Sequence, residues 1–105
     1  MKIYWKRENL RKKVVQYAQS NPITARRMKS IDSAGCFCDL RPASNGRAHF
    51  LVGKEYEGCF AIDLEKKQNG KRLICIPRGE FKMANGQYVE ETIVELEIIN
   101  IVDYH

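Results

Sequence analysis

The two histidines of this 105-residue chain are the side chains best suited to proton transfer near neutral pH. His49 lies in the segment Gly-Arg-Ala-His-Phe-Leu-Val-Gly, and His105 is the final residue of the sequence, two positions after Asp103. The Asp103 carboxylate or a terminal carboxylate would orient the His105 ring. If their strands share a sheet, we expect the two imidazoles to meet at one phosphodiester.

Cleavage of RNA by its own 2′-hydroxyl group needs a base for that proton, an acid for the departing 5′-oxygen, and cations for the extra negative charge. We assign proton transfer to His49 and His105, and either histidine fits either role. Arg72 and Lys54 are assigned to the phosphate. Tyr104 would either stack on an unpaired base or donate a hydrogen bond from its hydroxyl. This chemistry requires neither a cofactor nor a metal.

Each of these residues also has a purely structural interpretation. His49 would then be a half-buried strand residue, and His105 would be a frayed chain end. Tyr104 would belong to the core, Asp103 would neutralise a neighbouring arginine, and Arg72 would extend from a strand edge. The residues alone leave both interpretations open.

Charge is distributed unevenly along the chain. The net charge of +5 combines +9 for residues 1–54, with 12 Lys/Arg and 3 Asp/Glu, and −4 for residues 55–105, with 6 Lys/Arg and 10 Asp/Glu. The basic half is therefore a candidate surface for nucleic acid or for an acidic protein, with a solvated helix face as the alternative. The basic residues assigned to RNA binding, besides Lys54, are Arg11, Lys12, Arg26, Arg27, Arg47 and Lys71.

Length and cysteine spacing limit the class of protein. We expect residues 1–105 to form a single domain, with a core that needs no metal or disulfide. The cysteines, Cys36, Cys38, Cys59 and Cys75, lack the spacing of two zinc-binding pairs and are interpreted as free thiols. The sequence contains neither a signal-peptide pattern nor an apolar run of membrane-spanning length, so we expect a cytoplasmic protein.

Apolar periodicity and capping residues predict the helices. A short strand over 2–5 precedes a helix over about 8–19. Asn21 is the predicted cap of a second helix, with Pro22 at its first position, and this helix ends near residue 34. The first third of the chain is therefore a predicted helical hairpin.

The remainder of the sequence is predicted to be rich in strands. Short apolar or alternating runs predict strands over 47–52, 58–64 and 72–76, and a longer strand over 92–104. The polar stretch 78–91, which contains an Asn-Gly pair, predicts a loop or an extra hairpin. The expected fold class is α+β, with the helical hairpin on one face of an antiparallel sheet and the opposite face open for a site.

Several sequence motifs occur together and in a particular order. They are Gly-Arg-x-His-x-Leu-x-Gly at 46–53, the apolar strand at 58–64, Arg-Leu-Ile at 72–74 and the terminal Ile-Val-Asp-Tyr-His. With the order of elements around them, they resemble HigB-type killer toxins of bacterial toxin-antitoxin systems, within the RelE-like ribonuclease superfamily. The resemblance extends over nearly the whole chain.

The resemblance implies a RelE-like fold and an endoribonuclease, an mRNA interferase that cuts messenger RNA on the translating ribosome. It implies a helix-turn-helix, HigA-like antitoxin as partner, with operator DNA bound through that antitoxin and no role for a membrane. It assigns functional roles to His49, Asp103, Tyr104 and His105, and it makes Arg72 the phosphate-binding arginine.

One departure from the family pattern motivates a second hypothesis. Similar proteins often carry lysine directly before the glycine of the His-x-Leu-x-Gly run, where this chain has Val52, and Lys54 would supply the charge instead. The second hypothesis is a catalytically weak or inactive toxin-like module that binds an antitoxin and its operator complex. A third is a stand-alone RNA-binding domain. Translation-dependent cleavage of mRNA distinguishes the first hypothesis from both others.

Overall fold

The computed structural model describes residues 1–53, 55–65 and 70–103. The α-helices and strands of the described residues, in chain order, are β1 (Lys2–Trp5), α1 (Glu8–Ser20), α2 (Pro22–Ser33), β2 (His49–Phe50), β3 (Phe60–Asp63), β4 (Lys71–Pro77), β5 (Met83–Ala84), β6 (Gln87–Tyr88) and β7 (Glu95–Asp103). Three short 3₁₀ helices lie at Phe37–Leu40, Ala43–Asn45 and Glu90–Thr92. Within the described ranges, no helix is long and apolar enough to cross a bilayer.

The junction between α1 and α2 is organised by Asn21. Its side-chain oxygen accepts hydrogen bonds from the backbone N–H groups of Ile23 and Thr24, each at 3.1 Å. Pro22 occupies the first helical position, where its missing N–H group costs nothing. The predicted cap, the predicted start of the second helix and the helical hairpin are all confirmed.

Five strands form the main sheet, in the order β1-β7-β4-β3-β2. The pairs β2–β3, β3–β4 and β4–β7 are antiparallel, whereas β1 runs parallel to β7. The sheet is therefore mixed, and the prediction of an antiparallel sheet is wrong for its β1 edge. Parallel neighbours need a long connection, and most of the chain lies between these two strands.

The fold is α+β, with both helices on one face of the mixed sheet. Alternate residues of β3, β4 and β7 point toward the helices, as the two-residue period of a strand requires. The core at this interface includes the buried residues Val14, Ile31, Phe60, Ile62, Leu73, Leu96 and Ile98. The expected fold class is confirmed.

The opposite face of the sheet is partly covered. Leu51 and Tyr56, from the segment between β2 and β3, pack against the buried side chains of Ala61 and Ile74. The Asn100 Nδ2 donates a hydrogen bond of 3.0 Å to the Tyr56 hydroxyl and fixes this segment over β7. This face was expected to be open for a site, and the segment between β2 and β3 covers part of it.

The predicted strands are present with changed limits. The strand predicted over 47–52 is shorter in the structure, where β2 has only two residues. It begins later than predicted because Gly46 and Arg47 have positive φ angles and form a turn. The stretch 78–91 contains the hairpin β5–β6, in which Asn85 and Gly86 have φ angles of 54° and 75°. Two successive positive φ angles are typical of a type I′ turn, for which Asn-Gly is the preferred pair.

Replacement of Gly46 by alanine is expected to lower the free energy of unfolding by about 2–4 kcal/mol. The φ angle of Gly46 is 113°, and a Cβ atom there would lie 2.6 Å from the Ile62 Cγ2 in the core. Urea unfolding followed by Trp5 fluorescence measures the loss. Gly53→Ala is the matched control, because Gly53 has a φ of 122° but nothing within 4 Å of the added methyl. Equal losses in the two variants would show that contact with Ile62 contributes nothing.

Candidate functional site

A tight turn at residues 46–47 brings the first candidate side chains to the sheet. The Gly46 carbonyl accepts a hydrogen bond of 2.7 Å from the backbone N–H of Asp63, which ties the turn to the end of β3. Arg47 follows with a φ of 50°, a left-handed conformation that is uncommon for a residue other than glycine. This strained backbone directs the Arg47 side chain toward the Asp63 carboxylate.

Asp63 contacts two arginines on this face, Arg72, the predicted phosphate-binding arginine, and Arg47, a predicted RNA-binding residue. Its Oδ2 accepts a hydrogen bond of 2.9 Å from the Arg47 Nε, and its Oδ1 lies 3.2 Å from the Arg72 Nε. Asp63 and Arg72 are direct partners in the β3–β4 register, so the sheet itself sets this pairing. The exposed fraction is 50% for the Arg47 side chain and 11% for Arg72, so Arg47 is the more accessible cation.

His49 lies on the same face of the sheet as this ion-pair cluster. It pairs with Ala61, which lies two residues before Asp63 on β3, and residues two apart share a face. The His49 Nδ1 is 2.8 Å from the Arg47 carbonyl oxygen. Because a carbonyl oxygen only accepts, Nδ1 carries the proton, and Nε2 has the lone pair in the neutral ring.

This arrangement can accept a proton and hold an anion. The His49 Nε2 can act as a base, because the hydrogen bond from Nδ1 to the Arg47 carbonyl orients the ring. Many enzymes orient a catalytic imidazole in the same way, through a hydrogen bond at its other nitrogen. Arg47 and Arg72 supply guanidinium groups that suit a phosphate. The Asp63 carboxylate offsets part of their charge, so an incoming phosphate competes with it.

Lys71 and Asp103 lie on the other, helix-covered side of the sheet. They are direct partners in the β4–β7 register, and the Lys71 Nζ is 2.8 Å from the Asp103 Oδ1. Lys71 precedes Arg72 and therefore points to the opposite face, toward Tyr17 of α1, whose ring centre lies 5.3 Å from its Nζ. The predicted site residues are thus divided between the two faces, with His49, Arg47 and Arg72 on one face.

Three of the predicted site residues, Lys54, Tyr104 and His105, lie outside the described residues. The assignments of proton transfer to His105 and of stacking to Tyr104 stay predictions, and so does the phosphate contact of Lys54. The meeting of His49 with His105 remains a prediction for the same reason.

The predicted basic helix surface is present for three of its four assigned residues. Arg11, Lys12 and Arg26 are exposed on α1 and α2. The Arg11 guanidinium donates to the Glu8 carboxylate, and this hydrogen bond lowers the pKa of Glu8 below its usual value. The electrostatic potential around these helices is therefore positive, and Glu8 neutralises part of it near Arg11.

Arg27 is not part of that surface, and its assignment to RNA binding is wrong. Its side chain is 6% exposed and donates from Nη1 to the Ser44 carbonyl. The helical spacing of Thr24, Arg27 and Ile31 places all three on the buried face of α2. Arg27 therefore connects α2 to the 3₁₀ helix at Ala43–Asn45 rather than to a ligand.

The cysteines are free thiols, as predicted. Cys75 is fully buried between the helices and the sheet, and desolvation raises the pKa of its thiol far above the usual value. Burial also raises the pKa of Cys38, together with a hydrogen bond to Cys36. The described part of the chain contains no group of three or more His, Cys, Asp or Glu residues arranged to hold a metal ion.

Asp63 is the residue of this site that the sequence interpretation missed. It ends the apolar strand Phe-Ala-Ile-Asp, and Arg72 begins the predicted strand that follows. If the two strands form a hairpin, an acid at the end of one lies opposite an arginine at the start of the next. The ion pair between Asp63 and Arg72 could therefore have been predicted from the sequence.

Comparisons with protein-family models, with curated proteins and with solved structures returned no match. The fold and the arrangement of the site residues give the general class of this protein. It is an α+β protein with a histidine and two arginines on one face of a mixed sheet, and with exposed cations on its helices.

Proposed function

We propose that this protein is the toxin of a type II toxin-antitoxin system, a ribosome-dependent endoribonuclease of the HigB type with a RelE-like fold. It would cut messenger RNA during translation in the cytoplasm, and a HigA-like antitoxin would neutralise it and link it to operator DNA. The observation that carries this proposal is His49. Its ring is held through Nδ1, leaving Nε2 as a base, on a sheet face that also holds two arginines.

The proposed reaction is transesterification within the RNA. The His49 Nε2 takes the proton of the 2′-hydroxyl, and the 2′-oxygen forms a bond to phosphorus as the bond to the 5′-oxygen breaks. Arg47 and Arg72 stabilise the charge that develops on the phosphate oxygens. The departing 5′-oxygen receives a proton from an acid, and the family resemblance assigns that role to the motif that ends in His105.

A second candidate function is the weak or inactive toxin-like module. Two observations favour it: the Asp63 carboxylate partly neutralises both arginines, and Val52 is 99% exposed where similar toxins carry lysine. Such a protein would keep the antitoxin and operator contacts and would cleave RNA poorly. It differs from the first candidate only in activity, so an activity measurement decides between them.

Expression of the chain without its antitoxin is expected to stop bacterial growth within a few generations. The physical reason is that a single active ribonuclease depletes many messages, so low expression suffices. Growth curves and primer extension on a translated reporter mRNA measure the effect, with His49→Asn expressed to the same level as control. Normal growth with folded protein, and with reporter mRNA intact, contradicts the nuclease and leaves the inactive module and the stand-alone RNA-binding domain.

A further inference from the structure

A cavity of about 470 Å³ lies on the helix-covered side of the sheet, between α1 and the ends of β4 and β7. This is the side opposite His49, and the volume falls within the range of small-molecule sites. The side chains that matter for its chemistry are Arg7, Lys13, Tyr17, Lys71, Ile101 and Asp103. Three of these residues, Arg7, Lys13 and Tyr17, belong to α1 or to its N-cap. The proposed RNA cleavage uses none of the three.

The charge of this cavity favours an anion. Lys71 and Asp103 compensate each other through their 2.8 Å contact. Arg7 and Lys13 are exposed, and within the described ranges no ion pair joins either of them to an acidic side chain. Two cations at the mouth of the cavity are therefore available to a phosphate.

The deeper part of the cavity favours an aromatic ring. Leu10 and Val14 are buried beneath it, and Ile101 and the half-buried Tyr17 complete an apolar wall. Tyrosine stacks on nucleobases regardless of their identity, because every base has a π-face. Inorganic phosphate would leave this wall unused, and an uncharged ring would leave the cations unused.

We infer that this cavity binds a nucleotide, with the base against Tyr17 and Ile101 and the phosphate at Arg7 and Lys13. The ligand chemistry is a nucleoside monophosphate, either free or as one unit of an RNA strand. The inference goes beyond the proposed function, because binding to purified protein requires no ribosome, antitoxin or cleavage. A protein that fails to arrest growth can therefore still satisfy it.

Titration of the full-length protein with adenosine monophosphate, adenosine and inorganic phosphate tests the inference, with amide chemical shifts as the readout. Adenosine monophosphate is expected to shift amides of α1 and of 100–103, and to bind about tenfold more tightly than either fragment. Fragments that bind as tightly as the nucleotide overturn the inference. A trinucleotide that binds more tightly than the monophosphate assigns the site to an RNA strand, and equal or weaker binding assigns it to a free nucleotide.

Lys13→Gln is expected to weaken binding of the monophosphate by about tenfold, since a hydrogen bond to a charged group is lost. Lys82→Gln is the matched control, because Lys82 is exposed, carries the same charge and does not line the cavity. Tyr17→Leu should reduce affinity to that of phosphate alone. If Lys13→Gln and Lys82→Gln weaken binding of the monophosphate equally, the nucleotide is attracted only by the overall positive charge of the protein. That result would overturn the nucleotide site. Lys13 and Lys82 are both exposed, so both glutamine variants are expected to fold.

Discussion

Replacement of His49 by asparagine is expected to slow RNA cleavage by about 10²–10⁴-fold, the usual contribution of a general base. The asparagine side-chain amide can still donate to the Arg47 carbonyl, as the His49 Nδ1 does at 2.8 Å. What the variant loses is Nε2, the nitrogen that would accept the 2′-hydroxyl proton. Primer extension on mRNA in a translating extract gives the rate.

His49→Gln is the companion variant for this test. Its amide reaches the position of Nε2 but cannot accept a proton as imidazole does, and the hydrogen bond to Arg47 is lost. Both variants should lose activity if proton transfer is the role of His49. Activity lost only in His49→Gln would assign a positioning role to the Nδ1 contact, and activity retained in both would exclude His49 as the base.

Replacement of Arg72 by glutamine is expected to lower the cleavage rate by about 10²–10³-fold, as the loss of one transition-state donor does in other enzymes. Arg72 is 11% exposed and its Nε lies 3.2 Å from the Asp63 Oδ1, so its guanidinium is held in place before a phosphate arrives. Preorganised charge of this kind stabilises a transition state without reorganisation. Rates measured in the same translating extract check this expectation.

The matched control for Arg72→Gln is Asp63→Asn, which breaks the same ion pair from its acidic side. Each variant is expected to lose about 1–3 kcal/mol of unfolding free energy, because each removes the partly buried ion pair between Arg72 and Asp63. Their effects on RNA should be opposite: Asp63→Asn removes the carboxylate that competes with phosphate and should tighten RNA binding. Weaker RNA binding by both variants would show that the ion pair acts only by holding the sheet together.

Local rules accounted for the parts of the fold whose partners are close in the chain. Asn21 caps α2 through N–H groups two and three residues away, and Asn85-Gly86 determines its turn through its own φ angles. Such contacts depend on residue type and spacing alone, so the sequence contains the whole cause. The α+β class was predictable for the same reason.

The neighbour of β1 was decided by the tertiary structure. The sequence shows an apolar strand at 2–5 but not its pairing, and Ile3 meets Leu96 from the far end of the chain. Parallel pairing requires a long connection, and nothing local encodes which distant strand is its partner. The mixed sheet therefore could not be derived from strand patterns alone.

For the candidate site, the sequence determined which residue types are available, and the tertiary structure determined what each one touches. His49 and Arg72 were predicted from their chemistry, and the sheet places both on one face. Asp63 gained its role because the β3–β4 register sets it opposite Arg72, whereas Lys71, one residue earlier, points to the helices. Arg27 became a buried structural residue because α2 turns it inward, and charge has no fixed role until the fold decides which atoms surround it.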